Sequence, residues 1–563
     1  MATEARRVAP AGRATRLELA WAGLLAIDLV SRAQWLAPRL ATVRGATNYL
    51  AASVALWIVL RLLAAVRRPL RQVLCAVLVA TPMAIEWGMF RSYGQFVETT
   101  DLLTAWTAPR VALTATGGGV DLRGALAVFV LATACGFLVP DRPLRRRRAV
   151  VASVVLAALL ATGATWWRAS PSLEHPVPAF CCALAGIAKK ASKHTRAARH
   201  GTITSAGTAG QRPNVVLVIG ESLAASHLSL YGYERDTTPK LRALEASGEL
   251  VAFRDAVVMG PHTRTSVPYI MTGLEGPDPA GRVFGAPNIL EHAKARGYHT
   301  AFVSAQDESW GDLDAILRPG ADTFASGLQF TPEVDVLKGG DDLLVLREGV
   351  LPTLARLEEP FLLVLHMDGS HVPYAKHSPP SHKVWDESEG ANSLGAYDNT
   401  IRVTDDYVAA VFAALRARDP HAWMFFTSDH GQALGEGGAF YHRGYQSNVV
   451  RDPLLVFPPE HAADWKAIAD RPVSACDLAP TILHLVGAEA SMDCHDLRSP
   501  EPHPRVVSAF TPAFNAEPTM LVIDASGRHA LYDLDRGTVV LDDGAVRPLA
   551  EAPPPANIAA RLR

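Results

Sequence analysis

Apolar residues crowd the first third of the chain into five blocks, at about 17–37, 46–66, 72–90, 124–140 and 149–167. Each is close to the ~20 residues a helix needs to cross a bilayer core. The last two blocks carry no charge, whereas the first three carry Glu18 and Asp28, Arg61, and Glu86. The pattern predicts a bundle of five transmembrane helices over 1–167. Arginines cluster before the first block (Arg6, Arg7, Arg13, Arg16), between the second and third (Arg67, Arg68, Arg71), and between the fourth and fifth (Arg142, Arg145, Arg146, Arg147, Arg148). All three clusters fall on one side of such a bundle, which the positive-inside rule makes cytoplasmic. Everything after Trp167 is then delivered to the outer face. Arg39 and Arg44 lie against the rule. No small-residue cleavage site follows the first block, so a removed signal peptide is not expected.

Residues 168–213 read as a connector. It holds a basic stretch, 181–200, that suits a helix lying on the outer membrane surface, and then a flexible linker. From Asn214 the period changes. Continuous apolar runs at 214–220 (NVVLVIG), 299–304 (HTAFVS), 361–366 (FLLVLH), 423–428 (WMFFTS) and 453–457 (PLLVF) predict strands buried on both faces. Helical patterns separate them, the clearest over 399–418, with Ile401, Val408, Val411, Phe412 and Leu415 on one face. Strands alternating with helices predict an α/β domain with a mainly parallel central sheet over 214–500. The tail, 501–563, predicts a small antiparallel β appendage.

Composition narrows the function classes. Lys and Arg number 54 against 56 Asp and Glu, a net charge of -2, which gives no basic surplus for a nucleic-acid partner. Six cysteines without a CxxC pair exclude a zinc-ribbon or disulfide scaffold.

Polar groups gather just beyond the carboxyl ends of the predicted strands, where open α/β sheets bind their ligands. Glu221 follows the first strand, His366, Asp368 and His371 the third, and Asp429, His430 and His442 the fourth. Thr263, Thr265 and Ser266 lie between the first two strands. Carboxylate, imidazole and hydroxyl together suit Zn²⁺ or Mn²⁺, with a set assembled by the fold, since no pair has helical metal-binding spacing. Read singly, His430 is equally a hydrogen-bonded core histidine and Thr263 a helix cap.

GESLAASHLSLYGYERDTTPKL (220–241), LHMDGSHVPY (365–374), AYDNTIRVTDDYV (396–408) and SDHGQALGEGGAFYH (428–442), in this order, resemble the bacterial phosphoethanolamine transferases. These are inner-membrane enzymes of the alkaline phosphatase/sulfatase superfamily, with five membrane helices and a periplasmic catalytic domain. DLAPTILHLVG (477–487) is a general signature of that superfamily. The resemblance implies an alkaline-phosphatase/sulfatase-like fold. It implies a zinc ion held by Glu221, Thr263, Asp429 and His430, with Thr263 also the nucleophile. His371 and His442 would bind the phosphoryl group or a second, weaker zinc, and His366 would assist. Phosphatidylethanolamine would be the donor, lipid A or an envelope glycan the acceptor. The Thr272-Gly273 pair ten positions on supports the placement of Thr263. Two alternatives share the superfamily. A phosphoglycerol transferase of the lipoteichoic acid synthase type is disfavoured by the GES block. A membrane-anchored sulfatase needs Cys or Ser where Thr263 stands. Val372 departs from the Gly often found after GSH in the family. A disulfide between Cys476 and Cys494 stays open, as does a head-group role for Asp307, Glu308 and Ser309.

Overall fold

The computed structural model describes residues 12–33, 43–93, 122–141 and 212–562, apart from 310–312, 332–338, 437–439, 443, 461, 501–502, 510–518 and 535–536, together with residues 36, 40, 176, 177, 180 and 203. The chain divides into two compact units, Met1–Thr195 and Arg196–Arg563.

In the first unit the apolar blocks are helical: α1 (Gly12–Ser31), α2 (Val43–Leu63), α3 (Arg68–Cys75) running through a π turn at Ala76–Ala80 into α4 (Thr81–Tyr93), and α5 (Leu122–Phe137). The wide turn has a local cause. Pro82 has no N–H to return to the preceding turn, and the Ala76 carbonyl accepts both the Thr81 N–H and, at 3.0 Å, Thr81 Oγ1. Leu17, Leu24, Leu56, Leu60, Val79, Met83 and Val128 form the core. The predicted five spans are not reached among the described residues. One helical run, Arg68–Gly88, has the length and hydropathy of a span, while Tyr49–Leu63 and Arg123–Phe137 are apolar but shorter. Charge sets α1 apart, which carries Arg13, Arg16, Glu18 and Asp28, whereas the other two are short of span length. The fifth block, the arginines at 142–148 and the basic stretch 181–200 lie outside the described residues.

The second unit is built on a seven-stranded sheet: β1 (Val215–Gly220), β2 (Val251–Ala252), β3 (His299–Ser304), β4 (Thr323–Ala325), β5 (Phe361–His366), β6 (Trp423–Ser428) and β7 (Leu455–Phe457). Their order is β2-β7-β6-β1-β5-β3-β4. β1 pairs in parallel with both β5 and β6, from Val215 opposite Leu362 and Trp423 onward. The sheet is nonetheless mixed, because β7 runs antiparallel to β6 and β2. An apolar run states burial and not direction, so 453–457 reads as one more parallel strand in the sequence. Alternate residues of β1 feed two cores. Val215, Leu217 and Ile219 pack on one face, Val216 and Val218 on the other. The long helix, α7 (Leu394–Arg418), starts where Ser393 Oγ accepts from the Ala396 N–H at 3.2 Å. A five-stranded antiparallel sheet spans Arg505–Ser508 to Val546–Pro548, before a short helix at Ala556–Arg561, and Val507, Leu521 and Ile523 pack there against Val257, Val258 and Val450.

Candidate active site and metal centre

β1, β5 and β6 lie side by side and end at one edge, so Glu221, the 366–371 loop, Asp429 and His430 converge. The turn after β1 is held tightly. Ser222 takes φ 54°, rare for a residue with a side chain, and its N–H donates to Asp429 Oδ1 at 3.0 Å while its hydroxyl donates to Glu221. Gly369 (φ 50°) approaches the same turn so closely that a Cβ would meet the Glu221 carbonyl oxygen at 2.8 Å, and the Ser370 N–H donates to that oxygen.

Thr263 opens α6 (Thr263–Thr272), and its Oγ1 donates to Glu221 Oε2 at 3.1 Å. Its neighbours are occupied otherwise. Thr265 is buried and donates to the His262 carbonyl at 3.0 Å, and buried Ser266 faces the Met259 N–H. Of the three hydroxyls the sequence singles out, Thr263 is the one at the carboxylate. Gly273 ends the helix at φ 64°, where a side chain would strike Met492, which gives the Thr272-Gly273 pair a structural cause.

Glu221, Asp429 and His430 are all buried, and their ligand atoms lie within 4.8 Å of one another. His430 Nδ1 donates to the Gly431 carbonyl at 2.9 Å, which leaves Nε2 as the nitrogen with a lone pair. That nitrogen lies 3.3 Å from Asp429 Oδ2 and 3.5 Å from Glu221 Oε1. Burial lowers the His430 pKa, which favours the neutral ring. Asp429 Oδ2 has no hydrogen-bond partner. Burial and the adjacent Glu221 push the Asp429 carboxyl well up, while Glu221, which burial alone would raise, is held down to about 2 by His430, His371 and the Ser222 hydroxyl. No donor from the chain lies between Asp429 Oδ2, His430 Nε2 and Glu221, and a divalent cation fits there in place of the proton that burial favours on Asp429. Cys476 and Cys494 flank Asp477 in a similar cluster, but the two sulfurs are bonded to each other, so that group is no metal site.

The other expected residues surround this centre. His442 stacks obliquely on His430 with ring centroids 4.4 Å apart, and burial and three nearby imidazoles (His430, His262, His371) lower its pKa. His371 makes its own bond to the Val372 carbonyl at 2.7 Å. His366 is fully enclosed. Burial would lower its pKa, but the Glu308 carboxylate 2.6 Å from Nδ1 raises it to about 9. Glu308 is thereby committed to His366, and half-buried Asp307 accepts from the exposed Ser309 hydroxyl. Two residues escape a sequence reading. Gln306 donates to Glu221 Oε2 at 3.1 Å and to the Met367 carbonyl at 2.8 Å, and His262 meets His442 at 2.9 Å. The first sits among other polar loop residues, and the second shows no spacing relation to its partner.

The YGYERDTTP and AYDNT motifs serve the scaffold. Buried Asp398 accepts from Arg235, Tyr233 and His227 at 2.7–3.1 Å, and Tyr397 both donates to the Ser222 carbonyl and accepts from the Ala224 N–H.

Residues 213–488 match the Sulfatase family. The chain is 29% identical over 279 residues to the Kdo(2)-lipid A phosphoethanolamine 7''-transferase of Salmonella typhimurium, covering 45% of this chain and 47% of that protein. It is 27% identical over 354 residues to the phosphoethanolamine transferase EptC of Escherichia coli, covering 58% of each. The chain thus spans about half the length of the curated relatives it matches. The fold resembles that of the integral membrane lipooligosaccharide phosphoethanolamine transferase A of Neisseria meningitidis, with TM-score 0.61 and 18% identity over 84% of this chain and 96% of that one.

Proposed function

We propose, for a chain whose residues 213–488 belong to the sulfatase family, that the protein is a metal-dependent transferase. It moves phosphoethanolamine from phosphatidylethanolamine to lipid A or an envelope glycan through a phosphorylated Thr263. One observation carries the reading: the Thr263 hydroxyl sits on Glu221 at a helix start, beside a buried Glu/Asp/His cluster.

Glu221, Asp429 and His430 would hold the ion, with Thr263 completing the set. A bound Zn²⁺ or Mn²⁺ would supply Lewis acidity to the reacting oxygens. Glu221 Oε2 orients the Thr263 O–H and relays its proton as Oγ1 attacks phosphorus. The bond to the diacylglycerol oxygen breaks, and that oxygen takes up the proton Thr263 has given up. The amino end of α6 favours the anionic group in place. His371 and His442 would face the phosphoryl oxygens, or hold a second ion. In the second half an acceptor hydroxyl attacks the same phosphorus, gives up its proton, and Thr263 leaves with one restored.

The Cys476–Cys494 disulfide supports an oxidising compartment for the catalytic unit, as the arginine pattern does. The protein would then lie in the bacterial inner membrane with its catalytic domain in the periplasm. The test is incubation of the full chain with fluorescent phosphatidylethanolamine vesicles. Diacylglycerol release that stops on chelation and returns with zinc is expected; release indifferent to chelator would remove the metal from the account.

A further inference from the structure

His442 stands in a segment whose regular pairing, among the described residues, is the two-residue ladder of Phe440–Tyr441 with Ala433–Leu434. Tyr441 beside it takes φ 66°. The ring of His442 is instead fixed from the neighbouring α6 entry. Its Nδ1 lies 2.9 Å from the Pro261 carbonyl oxygen and 2.9 Å from His262 Nδ1. A carbonyl only accepts, so His442 Nδ1 carries the proton. His262 Nδ1 then meets that same proton with its lone pair, and His262 keeps its own proton on Nε2. The two rings meet edge to face, with centroids 5.0 Å apart at 83°.

We infer that His262 is a positioning residue, whose Nδ1 with the Pro261 carbonyl locks His442 in the Nδ1–H tautomer and presents the His442 Nε2 lone pair to the reaction centre. The contact joins the residue just before Thr263 to an imidazole 4.4 Å from the His430 ring, so nucleophile and His442 are held from one helix start. The inference rests on the proposed role of His442 in holding a second ion, to which an Nε2 lone pair is suited.

The test uses the full chain in detergent, labelled with ¹⁵N-histidine, with the His442 signals identified by their loss in His442→Gln. Wild type should show His442 protonated at Nδ1. His262→Phe keeps a ring and removes the acceptor. It should mix the His442 tautomers and lower kcat for diacylglycerol release about tenfold, leaving KM within about twofold. His262→Asn, whose amide oxygen falls near the Nδ1 position, should restore the tautomer and most of kcat. A His262→Phe protein with the wild-type His442 signature overturns the inference, as does His262→Asn behaving like His262→Phe. If wild type releases no diacylglycerol, the proposed function fails separately, and the His442 signature in His262→Phe still decides this point.

Discussion

Both units of this protein bury charge, and they do it in opposite ways. In the helical unit Asp28 and Arg32 stand one turn apart, both almost fully enclosed. Arg32 Nε and Nη2 meet Asp28 Oδ1 and Oδ2 at 2.7 and 2.6 Å, and the Tyr49 hydroxyl adds a third donor at 3.1 Å. Three donors meet the two carboxylate oxygens, and the charges cancel. In the second unit Glu221, Asp429 and His430 are as deeply buried, yet no donor from the chain meets Asp429 Oδ2, and His430 turns its Nε2 lone pair toward both carboxylates. A closed set of this kind holds helices together, whereas an open one has affinity left for something that is not part of the chain. The contrast separates structural from functional burial better than burial alone does.

The largest effect should come from opening the second set further. Asp429→Ala and His430→Ala each remove a donor from a site built to complete a coordination shell. Bound metal, read by elemental analysis, should fall to background, and diacylglycerol release should fall by more than about a hundredfold. Either variant retaining full metal would place the ion elsewhere.

The closed set should respond differently. Asp28→Leu leaves Arg32 buried without its partner and should cost about 3–5 kcal/mol in the unfolding of the full chain in detergent. Replacing both, as Asp28→Leu with Arg32→Leu, should recover most of that loss. A double variant no better than the single one would mean the pair does more than neutralise itself.

A smaller effect concerns the His366–Glu308 pair, an ion pair beside the open centre. The folded pKa of His366, about 9, lies above its ordinary value of 6.5. The stabilisation is therefore complete below pH 6.5 and is lost as pH rises through about 9, by up to roughly 3 kcal/mol. Thermal melts from pH 6 to 9.5 should fall more steeply for wild type than for His366→Gln. Parallel curves would remove the ion pair from the stability account.

These contrasts were unequally visible in the chain. The strands bearing Glu221, His366 and Asp429 are long continuous apolar runs, so their ends, and the chemistry just past them, were legible. β2 and β4 have two and three residues, too short for any period to register, and the reversal of β7 leaves no mark in its composition. Thr263 stood among three hydroxyls in PHTRTS, and only the packing of Thr265 and Ser266 into the fold sets it apart without appeal to a resemblance. Gln306 and His262 act through partners 85 and 180 residues away, a relation that spacing cannot express. The lone pair on His430 was equally hidden, since it depends on a hydrogen bond to the backbone of the next residue.

The central claim is that the open set serves a covalent transfer at Thr263. Intact-mass measurement of the zinc-loaded protein, given phosphatidylethanolamine and no acceptor, tests it most directly. The account predicts a phosphoethanolamine adduct that maps to the peptide containing Thr263 and is absent in Thr263→Ala. An adduct on Ser266, or a Thr263→Ala protein that still forms one, would contradict it.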